Sequence, residues 1–292
     1  MRRFSIAFLL FVTPFFCLAQ TVNFPQSPLD AKFVTSDLPN FWKAFDSVGL
    51  GKANPFDRYI AQGTKGVRGF VPNRILSADS LLSMVKRKRE TYEGFRDIEK
   101  RIKEKEKETL SYFYALEYWY PDAIYPPVYF VFGRFNSGGT TCEDGLIVGA
   151  EKLTDLDRLP NTVVHESIHF QQKWPSDSPT LLQQCILEGS ADFMAELLTG
   201  RSANEKAYAY GDKHENALKK EFLTRMDGED YQDWLYGTSG KDDRPNDLGY
   251  WIGFKIVKAY FDKAVDKHQA VKDILTVKDY HALLKASAYF SK

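Results

Sequence analysis

Histidine and cysteine are scarce in this chain, with 5 His and 3 Cys in 292 residues. Cys17 lies in an apolar run at the N-terminus, so only Cys142 and Cys185 remain for the folded part. That excludes a disulfide framework; the two either form a single bridge in an oxidising compartment or stay as separate buried thiols. An excess of charge is also missing, since 39 Lys and Arg balance 39 Asp and Glu. A balanced chain lacks the field that attracts a phosphate backbone, so no nucleic-acid partner is expected. The basic run Lys86–Arg89 and the mixed run Glu99–Glu108 are solvated helix faces on this reading. After the N-terminal run no stretch is long and apolar enough to span a bilayer, and no internal repeat or low-complexity tail is present.

The N-terminus is the exception to that polarity. Met1-Arg2-Arg3 precedes an apolar run from Phe4 to Ala19, short for a membrane span and ending in Cys17-Leu18-Ala19. Residues 1–19 are expected to be a cleavable export signal that sends the protein to the periplasm or outside the cell. Lipid attachment at Cys17 is disfavoured because Pro14, Phe15 and Phe16 stand where small residues are needed. Residues 20–292 are read as one domain in three parts: helical over 20–120, a sheet with two site-bearing helices over 121–200, and helical again over 201–292.

Local patterns support that division. Asp37-Leu38-Pro39 marks a helix start, with proline in the first turn. Leu81, Val85, Tyr92, Phe95, Ile98 and Ile102 recur at helical spacing and predict one long amphipathic helix. Val128–Phe132 and Leu146–Val148 are short β-prone runs separated by the turn-rich Asn136–Thr140, which predicts a small antiparallel sheet. The class is therefore α+β, mainly helical. Ser178-Pro179-Thr180 predicts a helix capped by Ser178, and Gly200 is placed to end it.

His165-Glu166-Ser167-Ile168-His169 carries the chemistry. Residues four apart on a helix share a face, so both imidazoles can aim at one ion while Glu166 reaches the water beside it. Two histidines leave a tetrahedral zinc one protein ligand short when the fourth position is kept for water. Glu188, in the helix after Ser178, is the candidate third ligand. Gly189 and Ala191 beside it permit close approach, and residues 173–177 are long enough to reverse the chain. Asp192, one turn after Glu188, is suited to accept a hydrogen bond from the outer nitrogen of a ligand histidine.

This combination of HExxH, Glu188 and Asp192 resembles the gluzincin metallopeptidases, including their thermolysin-like and aminopeptidase members. The chain also resembles an exported bacterial family described only as predicted zinc-dependent proteases. That likeness includes Phe41–Asp46, the HExxH segment, Glu188–Asp192 and Arg244-Pro245 through Leu248-Gly249-Tyr250. A more distant likeness is to gliding-motility lipoproteins.

The resemblance implies a zincin-like fold and one Zn2+ ion held by His165, His169 and Glu188. It further implies hydrolysis of peptide or protein substrates by zinc-activated water, with Glu166 as general base. Such enzymes add an oxyanion donor. Tyr250 is the first candidate, with packing at the start of its helix as its other reading, and Tyr236 and His214 are alternatives. Arg244 either binds a substrate carboxylate or pairs with Asp242, Asp243 or Asp247. Phe135–Gly139 or Leu146–Gly149 can supply an edge strand to an extended peptide. Gly249 and Gly253 are read as helix-packing positions, and His268 and His281 as ordinary helical residues. Two other functions share these residues: an inactive zinc-binding envelope scaffold, and a hydrolase of non-peptide amides.

Overall fold

The interior begins with ring packing between the first helix and the sheet. Phe41 stacks on Phe132 at 4.3 Å between centroids, with Trp42, Tyr92, Phe56 and Tyr59 around them. The computed structural model describes residues 23–174, 178–202, 204–236 and 244–291. The expected export signal at residues 1–19 lies outside them. Among the described residues no helix is long and apolar enough to cross a membrane.

The N-terminal part holds α1 (Asp37–Asp46), α2 (Phe56–Gln62), α3 (Lys65–Phe70), α4 (Ala78–Arg87), α5 (Arg89–Glu93) and α6 (Ile98–Trp119). Thr64 caps α3 through its side chain, and its hydroxyl donates to the buried Asp37. The expected single amphipathic helix is instead α4, α5 and the start of α6. The helical path breaks at Lys88, whose backbone leaves the α region, and again between Gly94 and Asp97. All six predicted apolar positions are nevertheless buried. The periodicity reported the buried face but not the chain breaks, which bend three segments around one core.

The sheet contains β1 (Phe33–Val34), β2 (Val128–Val131), β3 (Gly139–Cys142) and β4 (Gly145–Gly149), in the order β1-β2-β4-β3. It is mixed rather than antiparallel: β1 with β2 and β2 with β4 are parallel, and only β3 with β4 is antiparallel. β2 and β4 are buried along their whole length, as expected of strands covered on both faces. The residues between them carry the chain to the far edge, where β3 descends before Glu143-Asp144 turns it into β4. β1, a strand the sequence did not suggest, closes the opposite edge. This leaves β3 as an edge strand.

The remaining helices are α7 (Leu159–Ile168), α8 (Leu181–Thr199), α9 (Glu205–Lys213), α10 (Glu215–Arg225), α11 (Leu248–Lys263), α12 (Lys267–Leu275) and α13 (Tyr280–Ser287). The fold is α+β and mainly helical. Helix α8 begins two residues later than predicted. Thr180, not Ser178, is its cap, and a reciprocal bond with Gln183 completes a capping box. Gly200 ends it in the left-handed conformation, at φ 70°. Asn161 near the start of α7 bonds to Thr199 and Arg201 at the end of α8, so the two helices run antiparallel.

α8 lies against α11 at an unusually close crossing. A Cβ on Gly189 would collide with the backbone of Gly253 and Phe254, and one on Gly253 with the carbonyl of Cys185. Alanine normally stabilises a helix relative to glycine by about 1 kcal/mol. At this crossing the sign reverses, because the obstacle is backbone that cannot rotate away. Gly253→Ala is expected to lower unfolding free energy by about 2 kcal/mol or more, read as a reduced denaturant midpoint. An unchanged or higher midpoint would contradict the packing described.

Candidate metal centre

α7 presents His165 and Glu166 within its last turn. His169 follows immediately, its backbone still helical at φ −60° and ψ −24°. The i, i+4 relation therefore survives although the helix ends inside the motif. The two rings lie 5.0 Å apart and nearly perpendicular, at 84°. Across from them, α8 supplies Glu188, whose Oε2 is 3.5 Å from His165 Nε2 and 3.4 Å from His169 Nε2. Ligands about 2.0–2.1 Å from a tetrahedral zinc stand about 3.3–3.4 Å from one another. The observed spacings fit that edge length, and one donor atom from each residue falls within a common 4.8 Å. Two neutral nitrogens and one carboxylate oxygen also suit zinc chemically.

Each ring is oriented through its other nitrogen. His165 Nδ1 lies 2.7 Å from Asp192 Oδ1, and Tyr208 donates to Asp192 Oδ2 at 2.9 Å. His169 Nδ1 lies 2.7 Å from Gln172 Oε1. Gln172 in turn donates its amide to Leu187 O at 2.7 Å and Ser190 Oγ at 2.8 Å. Those donations fix its oxygen toward His169. Both Nδ1 atoms therefore carry a proton, which leaves Nε2 of each ring as the atom directed at Glu188 and the one able to bind a metal.

Electrostatics reflect that enclosure. Burial opposes charge on His165, but its bonds to Asp192 and Glu188 outweigh burial and hold its pKa well above the usual value. Burial would raise Glu188, yet the two histidines pull it well below the ordinary carboxylate range. The site is thus arranged to receive positive charge.

Residues 132–280 match the family model described as Predicted Zn-dependent protease (DUF2268). The chain belongs to that family. No curated protein and no solved structure matches it. The family region contains α7, α8 and all the donor atoms described above. It begins after β2, so the Phe41–Asp46 segment lies outside it.

A cavity of about 630 Å³ opens beside the cluster, lined among others by Gly138, Arg158, Thr162, His165, Asp192 and Tyr250. Tyr250 stacks on His165 at 6.0 Å and 24°. Burial, then the neighbouring Glu188, pushes its hydroxyl pKa well up, so it remains a proton donor. Tyr236 approaches the other side, where its hydroxyl bonds to Glu188 Oε1. Trp174 lies 6.1 Å from the His169 ring. Glu166 leans against the edge strand, for a Cβ on Gly139 would stand 2.6 Å from its Oε1.

Other sequence candidates fall elsewhere. Arg244 is buried, donates to Glu221 Oε2 at 2.9 Å and Asp233 O at 3.1 Å, and stacks over Trp234. It is not among the cavity-lining residues, and among the described residues it forms an ion pair with Glu221. Glu221 lies on α10, so that contact joins residues distant in sequence. Asp242 and Asp243 lie outside the described residues. His214 sits beside Tyr210 between α9 and α10, His268 against Trp119, and His281 against Asp227. Cys142 and Cys185 are both free thiols. Gln172, Gln184 and Tyr208 went unrecognised in the sequence. Gln172 follows His169 by three residues and Gln184 precedes Glu188 by four, so helical spacing could have flagged both; Tyr208 carries no local signal.

Glu151 supports the segment leading into β3. It is fully buried, accepting from Gly133 N at 2.9 Å and Phe135 N at 3.1 Å, while Phe135 adopts φ 62°. Burial outweighs these bonds and pushes its pKa up to about 7. The unfolded chain would ionise it near 4.5. Stability from its neutral form is therefore complete below that value and is lost as pH rises toward 7. Between pH 5 and 8, wild type is expected to lose up to about 3 kcal/mol relative to Glu151→Gln in denaturant unfolding. Parallel pH trends for the two proteins would contradict this.

Proposed function

We propose that the protein is an exported zinc metallopeptidase of gluzincin type, hydrolysing peptide bonds in peptides or proteins. The observation that carries this reading is the convergence of His165, His169 and Glu188 donors beside Glu166, at a cavity bordered by an edge strand. The apolar run before Gln20 supports export to the periplasm or the exterior. A scaffold that merely held an ion would have no use for Glu166.

Zinc, held by these three side chains, would supply Lewis acidity that acidifies a water and polarises the scissile carbonyl. Glu166 takes a proton from that water as its oxygen bonds to the carbonyl carbon, and returns it to the amine nitrogen as the C–N bond breaks. Tyr250, protonated beside His165, donates a hydrogen bond to the carbonyl oxygen as it gains charge. Asp192 and Gln172 keep each Nδ1–H in place, so neither histidine rotates during turnover. An extended peptide aligned along the outer edge of β3 would bring its carbonyl past Glu166.

The test pairs metal analysis with a peptide-library assay. Glu166→Gln is expected to retain zinc and to lose about 100-fold or more in kcat. Glu188→Ala should weaken zinc by more than the roughly 10–100-fold typical of a change outside the ligand set. Undiminished cleavage by Glu166→Gln would defeat the mechanism. Zinc retained without any cleavage by wild type would favour the scaffold.

A further inference from the structure

We infer that Tyr236 and Gln184 are positioning residues that confine Glu188 to one-oxygen coordination, so that Oε2 alone is offered to the metal. The inference rests on reading His165, His169 and Glu188 as a metal site. Its basis is the division of labour within the Glu188 carboxylate. Oε2 faces both histidine Nε2 atoms, at 3.5 and 3.4 Å. Oε1 faces away and is held twice, by the Tyr236 hydroxyl and by Gln184 Nε2 at 3.3 Å. Gln184 also donates to Tyr236 Oη at 2.7 Å, closing a three-membered ring of hydrogen bonds. Within that ring the tyrosine proton is directed at Oε1, because its own oxygen accepts from the amide.

The backbone around Tyr236 indicates that this position is imposed by the site rather than by packing. Tyr236 is 59% exposed, so hydrophobic burial does not explain where it sits. Its backbone has φ 57°, a left-handed conformation unfavourable to a residue with a Cβ. Asp247, itself at φ 68°, accepts from the Tyr236 backbone N–H and stabilises that conformation. Tyr236 thus adopts a conformation costly to a residue with a Cβ, held by Asp247, where its hydroxyl meets one carboxylate oxygen. A second oxygen from Glu188 would otherwise compete for the coordination position that water or substrate needs.

The test uses Tyr236→Phe, with Gln184→Met as the second variant, each loaded with Co2+ as a spectroscopic substitute for Zn2+. In wild type the visible Co2+ bands should be intense, as for four-coordinate metal. In both variants they should weaken toward a five-coordinate pattern as Oε1 joins the metal, with zinc affinity changed about 10-fold. Tyr236→Phe should keep the wild-type unfolding midpoint, since its ring is largely exposed; a lower midpoint with an unchanged spectrum would assign Tyr236 a structural role and overturn the inference. Unaltered spectra and affinities in both variants would also overturn it while leaving the proposed function intact. Failure of wild type to take up either metal would overturn both.

Discussion

Helix α8 is the member on which the other parts depend, because it is held between backbones on one side and presents ligands on the other. The Gly189–Gly253 crossing removes side-chain thickness from its contact with α11. α8 can then lie at the centre of the molecule, buried at nearly every position from Leu181 to Ala195. Its polar residues are carried inward with it: Gln184, Glu188, Ser190 and Asp192 are all buried. A bulkier residue at either glycine would push α11 outward or α8 toward α7. The donor spacing across the α7–α8 interface would change accordingly.

Burying so many polar groups is unfavourable unless each finds a partner. Asp192 is shared by His165 and Tyr208, Gln172 links His169 to α8, and Glu188 has a different environment at each oxygen. The same bonds settle the histidine tautomers, so stability and metal-binding geometry have a common source. A carboxylate facing two imidazoles must be balanced by positive charge. Protons on the histidines can supply it, and so can a divalent ion. Zinc uptake on the proposed reading therefore displaces protons and weakens as pH falls.

The sequence made the donor set legible because helical spacing is local. His165 and His169 share one face, and Glu188 and Asp192 share another. The capping residues near 180 and Gly200 marked the extent of α8 to within a few residues. Non-local features were less accessible. A short fully apolar run does not reveal strand direction, so β2 and β4 were mistaken for an antiparallel pair, and two-residue β1 left no pattern at all. The 81–102 periodicity persisted through bends at Lys88 and Gly94 because each segment still turns its apolar side to the same core. The ion pair between Arg244 and Glu221 joins residues far apart in the chain, so no local spacing announces it. Tyr208 and Tyr236 meet the site through tertiary contacts that no spacing rule encodes.

The surroundings of the three donors are unequal in a way that bears on approach. Tyr250 covers the outer side of His165, Trp174 stands beside His169, and Tyr236 closes off Glu188. Glu166 meets Gly139, where the absence of a side chain brings β3 close. Ser137 Oγ donates to Gly139 O, and Gly149 N donates to Gly138 O, so the approach to that strand is fixed in shape. An extended chain laid against β3 would use backbone bonds common to all peptides, giving alignment without sequence preference. Preference must then come from the cavity wall, where Lys152, Arg158 and Lys206 stand among Asp155, Glu205 and Asp247. That wall carries both signs of charge, so discrimination would depend on where a substrate side chain falls along it rather than on substrate net charge.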